Sequence, residues 1–478
     1  MYSILHAVEL ACVTLLLGWG LHRLTFLVRF LRLPGHSADP EPELWPDTER
    51  PHVTVQLPIY NERHVVERLI RSAGALSWPA DRLTIQVLDD SNDETTGIAA
   101  VEIAKLREAG IQAEHVRRES RTGYKAGALE EGLARTDAQF IAVFDADFIP
   151  EPDFLERTVP HFADPGIGMV QARWGHLNRD ESLLTRAQGA LLDGHFAIEH
   201  RVRASYGLFF NFNGTAGVWR REAIHEAGGW QHDTLTEDLD LSYRSQLAGW
   251  RFRFLDTVIA PAELPADLAG FRQQQHRWAK GSAQTLRKLG GRILRSDEPL
   301  DRKLEAFAHL SSNIGYPLIL LLSLALPLSL ADPNANDRPW HLALFLGTVG
   351  TTAVFYERCL ATSGRGLRQR LVDVPLAIAL GIGISLSQTL AVLQGLFGHD
   401  TEFVRTPKRG WGQGLALYHA RPIVPTGAEL GLSLWLGFAA YAAAGNDRMA
   451  AFPLVTLLGI SFAWIGMIAF LRRGSSLA

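Results

Sequence analysis

The residues best suited to chemistry are two carboxylates two positions apart, Asp145 and Asp147, at the end of the apolar run FIAVFDADF, Phe140–Phe148. Such a run reads as a strand buried on both faces of a parallel sheet, and residues two apart in a strand share a face. Two hard oxygen donors at a strand's carboxyl end make half a site for Mg²⁺ or Mn²⁺ carrying a diphosphate. Other groups of the right type follow. Asp89 and Asp90 end a second strand and could accept the N–H edge of a nucleobase, or cap the helix after SNDET. Lys125, among small residues, suits a phosphate. Asp238, in Thr236-Glu237-Asp238, reads as a general base beside Glu237, or as a first-turn acid of a helix capped by Thr236. In FRQQQHRW, Arg277 would pair with a departing diphosphate, and the Trp278 indole offers a flat face to a pyranose ring.

These residues need a scaffold, and the chain between 52 and 148 supplies an alternating one. Strands are expected at 53–60, 84–90 and 140–148, with helices over Glu62–Ala75, Gly97–Ala109 and 126–134. That pattern predicts an α/β domain with a mostly parallel, open, Rossmann-like sheet and helices on both faces. Ligands bind such sheets beyond the carboxyl ends of the strands. Tyr60-Asn61-Glu62, Asp89-Asp90 and Asp145-Ala146-Asp147 all fall there.

Composition narrows the class. The 478 residues are 47% hydrophobic with a formal net charge of −4, which implies no nucleic-acid partner. Two cysteines cannot build a disulfide framework, and the 17 histidines show no zinc-ligand spacing. Both ends are apolar. Ile4–Phe30 reads as a signal anchor whose basic exit, Arg23, Arg29 and Arg32, faces the cytoplasm. Residues 34–50 form a polar linker, and 51–300 a cytoplasmic domain. From 301 to 478, membrane helices are expected at Asn313–Leu330, Trp340–Leu360, Leu430–Ala444 and Phe452–Leu471. Basic clusters at 358–370, 405–421 and Arg472-Arg473 lie on one side only if 374–396 rests along the surface. Five spans plus one interfacial helix result, or six spans with one basic loop outside, in an inner or plasma membrane of a bacterial cell.

The stretches LPIYNE (57–62), VLDDSND (87–93), KAGAL (125–129), QARW (171–174), FNGTAGVWR (212–220), TEDLDLSYR (236–244), ELP (263–265), QQHRW (274–278) and FVRTPKRG (403–410) recur in one order in a known family. The chain resembles a family 2 processive glycosyltransferase of the cellulose synthase superfamily. Its nearest likeness is to the cellulose synthase-like branch that makes β-mannan, glucomannan and xyloglucan-backbone glucan. The resemblance implies a GT-A-type catalytic domain, a nucleotide-sugar donor (GDP-mannose or UDP-glucose), a β-glycan acceptor and a membrane lipid environment. It assigns Tyr60, Glu62, Asp89, Asp90, Lys125, Asp145, Gln274 and Arg277 to the nucleotide sugar, and Asp145 and Asp147 to the metal. Asp238 becomes the base, with Glu237 beside it. Asn213, Gly214, Thr215 and Trp278 go to the acceptor, and 398–425 becomes a gating loop. A β-1,4-glucan synthase, or an enzyme placing one sugar on a lipid carrier, is the alternative. No cyclic-dinucleotide-binding extension is recognisable, so control of that kind is not expected.

Overall fold

The computed structural model describes residues 2–33, 39, 45, 49–332, 339–398, 423–425, 427–445 and 448–475. The expected gating stretch FVRTPKRG and the basic cluster 405–421 lie outside these residues. Seven strands form one sheet in the order β3-β2-β1-β4-β6-β5-β7. They are β1 Val53–Ile59, β2 Leu83–Asp89, β3 Gln112–Arg117, β4 Phe140–Val143, β5 Ile167–His176, β6 Gly217–Arg220 and β7 Arg251–Ala262. Neighbours run parallel except around β6, which is antiparallel to both β4 and β5. This is the expected mostly parallel α/β sheet, with one reversed strand that the pattern of residues did not announce.

Sequence alternation explains why β4 lies at the centre. Phe140 and Ala142 enter the core on one face of the sheet, Ile141 and Val143 the core on the other. β1 alternates differently: Val53, Val55 and Leu57 are apolar, whereas Thr54 and Gln56 are buried and hydrogen-bond laterally. Gln56 donates to Gln86 at 3.1 Å, and the Thr54 and Thr136 hydroxyls share a 2.7 Å bond. Buried polar side chains persist only when so paired. β4 is shorter than expected. It ends at Val143, and Asp145 and Asp147 occupy a turn closed by the Phe148 amide on the Asp145 carbonyl at 3.0 Å. The helix expected from Glu62 begins at Val66, because Asn61 adopts a left-handed backbone, φ 55°, and turns the chain first.

Beyond the sheet, one 28-residue helix, Leu268–Arg295, links the sheet domain to the helices that follow it. Gly281 on this helix meets Thr236, whose hydroxyl would lie 2.4 Å from an added Cβ. On the same helix, Ala279 packs with Ala391 and Val392 of the helix Ser385–Phe397. Gly395 seats against the Lys280 carbonyl, with room for no side chain (2.6 Å).

Tyr2–Arg32, Ser312–Leu330 and Phe452–Leu471 are long and apolar enough to cross a membrane. Leu367–Gly383 and Ser385–Phe397 meet at 51°. This bend breaks the stretch expected to lie on the surface into two arms: Leu367–Gly383 packs on both Leu183–Asp193 and Phe452–Ser475, and Ser385–Phe397 on Leu268–Arg295 and Gly315–Leu330. Ala428–Gly445 is apolar but short, and the expected span at 340–360 is helical throughout but carries a π-turn over Leu346–Gly350. Hence three helices meet the span criterion among the described residues, or four if the bent pair counts as one, against the five or six expected. Glu9 is fully buried on the first helix, where Ser329 donates to it at 2.6 Å and His341 also pairs with it.

Candidate active site

The carboxyl ends of β1, β2 and β4 open into a cleft closed from the other side by the helices Glu237–Leu247 and Leu268–Arg295. Tyr60, Glu62, Asp90, Lys125, Asp145 and Asp147 line its sheet side. Glu237, Asp238, Gln274, Arg277 and Trp278 line the opposite wall, with Asn213 and Gly214 between them. Residues nearly 220 positions apart thus converge on one space.

Lys125 is the hub of the polar contacts. Its ammonium donates to Asp145 at 2.6 Å and to the Gly214 carbonyl at 2.8 Å, and lies 3.8 Å from Glu237. Burial pulls this ammonium down, but Asp145, Glu237 and Asp238 outweigh it and hold its pKa above the ordinary value. Lys125 lines the cleft as expected and forms an ion pair with the Asp-x-Asp turn. Asp145 is itself fixed by its amide, which donates 2.9 Å to the Thr215 hydroxyl. Thr215 is fully buried and does not line the cleft, and it positions the turn from behind.

Asp238 sits at the start of its helix, and the Leu239 amide donates 2.8 Å to its carboxylate. Burial, then the neighbouring Glu237, push its pKa up to about 7, against the opposing pull of Lys125. The capping expected of Thr236 is absent: its side chain makes no cap bond, because it is wedged against Gly281. Gly214, at φ 79°, must lack a side chain, since a Cβ would come within 3.0 Å of the Asp238 carboxylate and 3.3 Å of the Lys125 ammonium. Arg277 faces the four carboxylates Glu237, Asp145, Asp238 and Asp147; burial still lowers its pKa.

One of the adjacent aspartates does not reach the cleft. Asp89 is 1% exposed and is held by His115 at 2.9 Å and the Ser91 amide at 2.8 Å. Burial opposes its anion, yet the bonds from His115, Ser91 and Thr96 keep its pKa below the ordinary range. The end of β2 alternates, so Asp90 points the other way and alone lines the cleft. Arg118 grips both its carboxylate oxygens, at 3.0 and 2.5 Å.

Sequence reasoning gave no role to three side chains in or behind the cleft wall. Trp174, inside QARW, stands 6.3 Å from Trp278 between ring centroids. Gln171, in the same stretch, is fully buried and binds the 213–216 loop: its side-chain oxygen accepts from the Asn213 amide at 2.9 Å, and its nitrogen donates to the Thr215 and Ala216 carbonyls. Arg121 lies over the Tyr60 ring. Period-two alternation along β5 points Gln171 inward, whereas nothing local marks Arg121. A second cavity shares Asp238, Gln274 and Trp278 with the cleft and runs past His195 to Trp19 and Arg23 of the first helix.

Residues 51–281 match the family described as Glycosyltransferase like family 2. The chain is 40% identical over 385 residues to glucomannan 4-beta-mannosyltransferase 2 of Arabidopsis thaliana, covering 76% of this chain and 68% of that one. The chain belongs to glycosyltransferase family 2. It is also 46% identical over 263 residues to glucomannan 4-beta-mannosyltransferase 1 of Oryza sativa subsp. japonica, covering 54% of this chain and 50% of the relative. Across such relatives the chain spans from about half to about two thirds of their length. Its fold matches that of a mannosyltransferase from Pyrobaculum calidifontis solved with GDP-Man and Mn²⁺ (TM-score 0.57, 21% identity, 83% of this chain and all of that one). This family 2 enzyme is a nucleotide-sugar glycosyltransferase of GT-A fold, in the cellulose synthase-like group, with helices able to span a membrane.

Proposed function

We propose that this glycosyltransferase extends a β-1,4-linked mannan or glucomannan, one mannose at a time, from GDP-mannose. The observation that carries the reading is the placement of Asp238, poised near neutrality, across the cleft from the Asp145–Asp147 turn. The names of the curated relatives support mannose as the sugar and a 4-hydroxyl as the acceptor.

In this reading the acceptor's terminal ring rests on Trp278, near Trp174, with its 4-hydroxyl toward Asp238. That oxygen attacks C1 of the donor from the face opposite the diphosphate. The C1–O4 bond forms as the bond from C1 to the phosphate oxygen breaks, the leaving diphosphate keeps that electron pair, and Asp238 takes the hydroxyl proton. Configuration inverts in the single step. Arg277, already among four carboxylates, faces the diphosphate and stabilises its developing charge. Asp145 and Asp147 would hold a divalent cation together with diphosphate oxygens, which suits Mg²⁺ or Mn²⁺. No cluster of three protein ligands exists among the described residues, so the phosphates must complete the site. When bound, the metal supplies charge neutralisation of the leaving group. Lys125 keeps Asp145 and Gly214 in register across the cleft.

The second cavity continues from Asp238 toward Trp19 and Arg23, and gives the growing chain a path to the membrane helices. Residues 1–33 would then be the anchor, 34–50 the linker, 51–300 the cytoplasmic catalytic domain, and 301–478 the membrane part. Membranes carrying the enzyme are incubated with labelled GDP-mannose or UDP-glucose, and the product is digested with linkage-specific hydrolases. Polymer from GDP-mannose that a β-1,4-mannanase degrades is the expected result. Product from UDP-glucose alone, cut only by a β-1,4-glucanase, would replace the donor assignment, and a single labelled sugar on lipid would remove processivity.

A further inference from the structure

Arg121 is a half-buried arginine that faces the cleft; the Asp90 carboxylate acts on it through space, and no ion pair of Arg121 is formed among the described residues. Its guanidinium carbon lies 3.4 Å from the centroid of the Tyr60 ring and 4.9 Å from that of Tyr124. Its Nε is buried with no hydrogen-bond partner among the described residues. The chain bends to place it there: Gly123 and Tyr124 both adopt left-handed backbone, φ 74° and 49°, and the Tyr124 amide closes a turn on the Arg121 carbonyl at 3.0 Å. Strain of this kind at a non-glycine residue persists only where the surroundings fix it. Beside it, Arg118 holds Asp90 in one plane through both oxygens, and also donates to the Thr122 and Tyr124 carbonyls. Arg118 is thereby committed to protein, whereas Asp90 keeps lone pairs for the cleft. The cleft wall therefore presents a flat cation on an aromatic platform next to a fixed carboxylate.

Resting on the donor reading above, we infer that Arg121 and Asp90 together read guanine, and that Arg121 is the residue selecting a guanosine over a uridine diphosphate sugar. Guanine carries two adjacent acceptors, O6 and N7, which a guanidinium edge meets bidentately. Its next two groups, N1–H and the N2 amine, are donors that one carboxylate accepts. Uracil has no N7, and its O2 stands where guanine has the amine, so it would oppose a carboxylate oxygen. The order cation then anion along the wall matches acceptor, acceptor, donor, donor in full, and matches uracil only at O4 and N3–H, one bond to each group. Stacking on Tyr60 keeps the guanidinium flat and its edge free.

The test uses the full chain in detergent and measures binding of GDP, 7-deaza-GDP, which lacks N7, and UDP. The wild type should bind GDP at least about tenfold more tightly than either of the others. Arg121→Ala should remove the gap between GDP and 7-deaza-GDP while changing UDP affinity less than about threefold. Should Arg121→Ala lose its thermal transition, Arg121→Lys, which keeps the charge and loses the fork, carries the same readout. Equal wild-type affinity for GDP and 7-deaza-GDP, or a gap that survives in the variant, overturns the inference. Turnover of both nucleotide sugars by the wild type separates the two levels. Use of UDP-glucose alone sinks the donor reading and this inference with it. Use of GDP-mannose with an unchanged gap in the variant sinks the inference alone.

Discussion

Replacing Asp238 with Asn should make the ligand-free protein more stable above neutral pH while destroying its activity. The carboxyl is raised from an ordinary aspartate value of 3.8 to about 7. The folded state therefore holds a proton that the unfolded chain has released, and stability falls as pH climbs between those two values. The full penalty is present above about pH 7 and absent below about pH 4. At 1.36 kcal/mol per pH unit the interval corresponds to about 4 kcal/mol, and partial contact with the cleft solvent reduces this to roughly 2–4 kcal/mol. Asn keeps the shape and cannot ionise. The variant should thus melt on the order of 5 °C above wild type at about pH 8.5, with the difference vanishing near pH 4 to 5. Tryptophan fluorescence of the detergent-solubilised protein during heating reads this directly. In the same variant, transfer should fall by roughly 10²–10⁴-fold while nucleotide affinity is kept, and wild-type kcat/KM should rise with pH through about 7. An offset between the melting curves that does not change with pH would refute the electrostatic reasoning. Substantial turnover by the variant would show that Asp238 is only a first-turn helix acid.

Three further outcomes follow from the same geometry. Asp145→Asn and Asp147→Asn should each weaken nucleoside diphosphate binding in Mg²⁺ or Mn²⁺ by about tenfold or more, with little change in chelator; titrations that respond equally with and without metal would end the ligand role. Gly214→Ala should cost about 1–2 kcal/mol from its left-handed backbone and lower kcat at least about tenfold, because the new methyl meets Asp238 and Lys125; unaltered kcat in a folded variant contradicts the packing. With Cys12 and Cys359 replaced, Gly366→Cys, Gly410→Cys and Ser476→Cys should all resist an impermeant thiol reagent added outside intact cells, and labelling at 410 would overturn the one-sided placement of the basic clusters.

The parts of the site that lay at strand ends were legible because period and burial fix them. The apolar run into Asp145, the polar break after Ile59 and the TED start of a helix all carry a local pattern. What escaped was set by tertiary geometry. Asp89 and Asp90 are chemically identical in the sequence, and only the end of β2 decides that one meets His115 and the other the cleft. The place of Thr215 behind the turn shows only when its hydroxyl is found under the Asp145 amide. The reversed strand β6 is four residues long, Gly217–Arg220, too short for any periodicity to show. The π-turn over Leu346–Gly350 and the bend near Ile384 depend on how the apolar helices meet, which composition does not encode.

The helix Leu268–Arg295 carries Gln274, Arg277 and Trp278 on the cleft, Gly281 on Thr236, and Ala279 and Lys280 against the arm Ser385–Phe397. Because an α-helix turns about 100° per residue, one inserted residue ahead of 274 would rotate all of these faces together. Cleft geometry and the seating of the following helices are therefore indexed to a single screw. A catalytic domain cut away at residue 300 would lose the Ala391, Val392 and Gly395 surface that sets the angle of that screw. Loops elsewhere can lengthen freely, but the eight residues from Gln274 to Gly281 behave as a machined length.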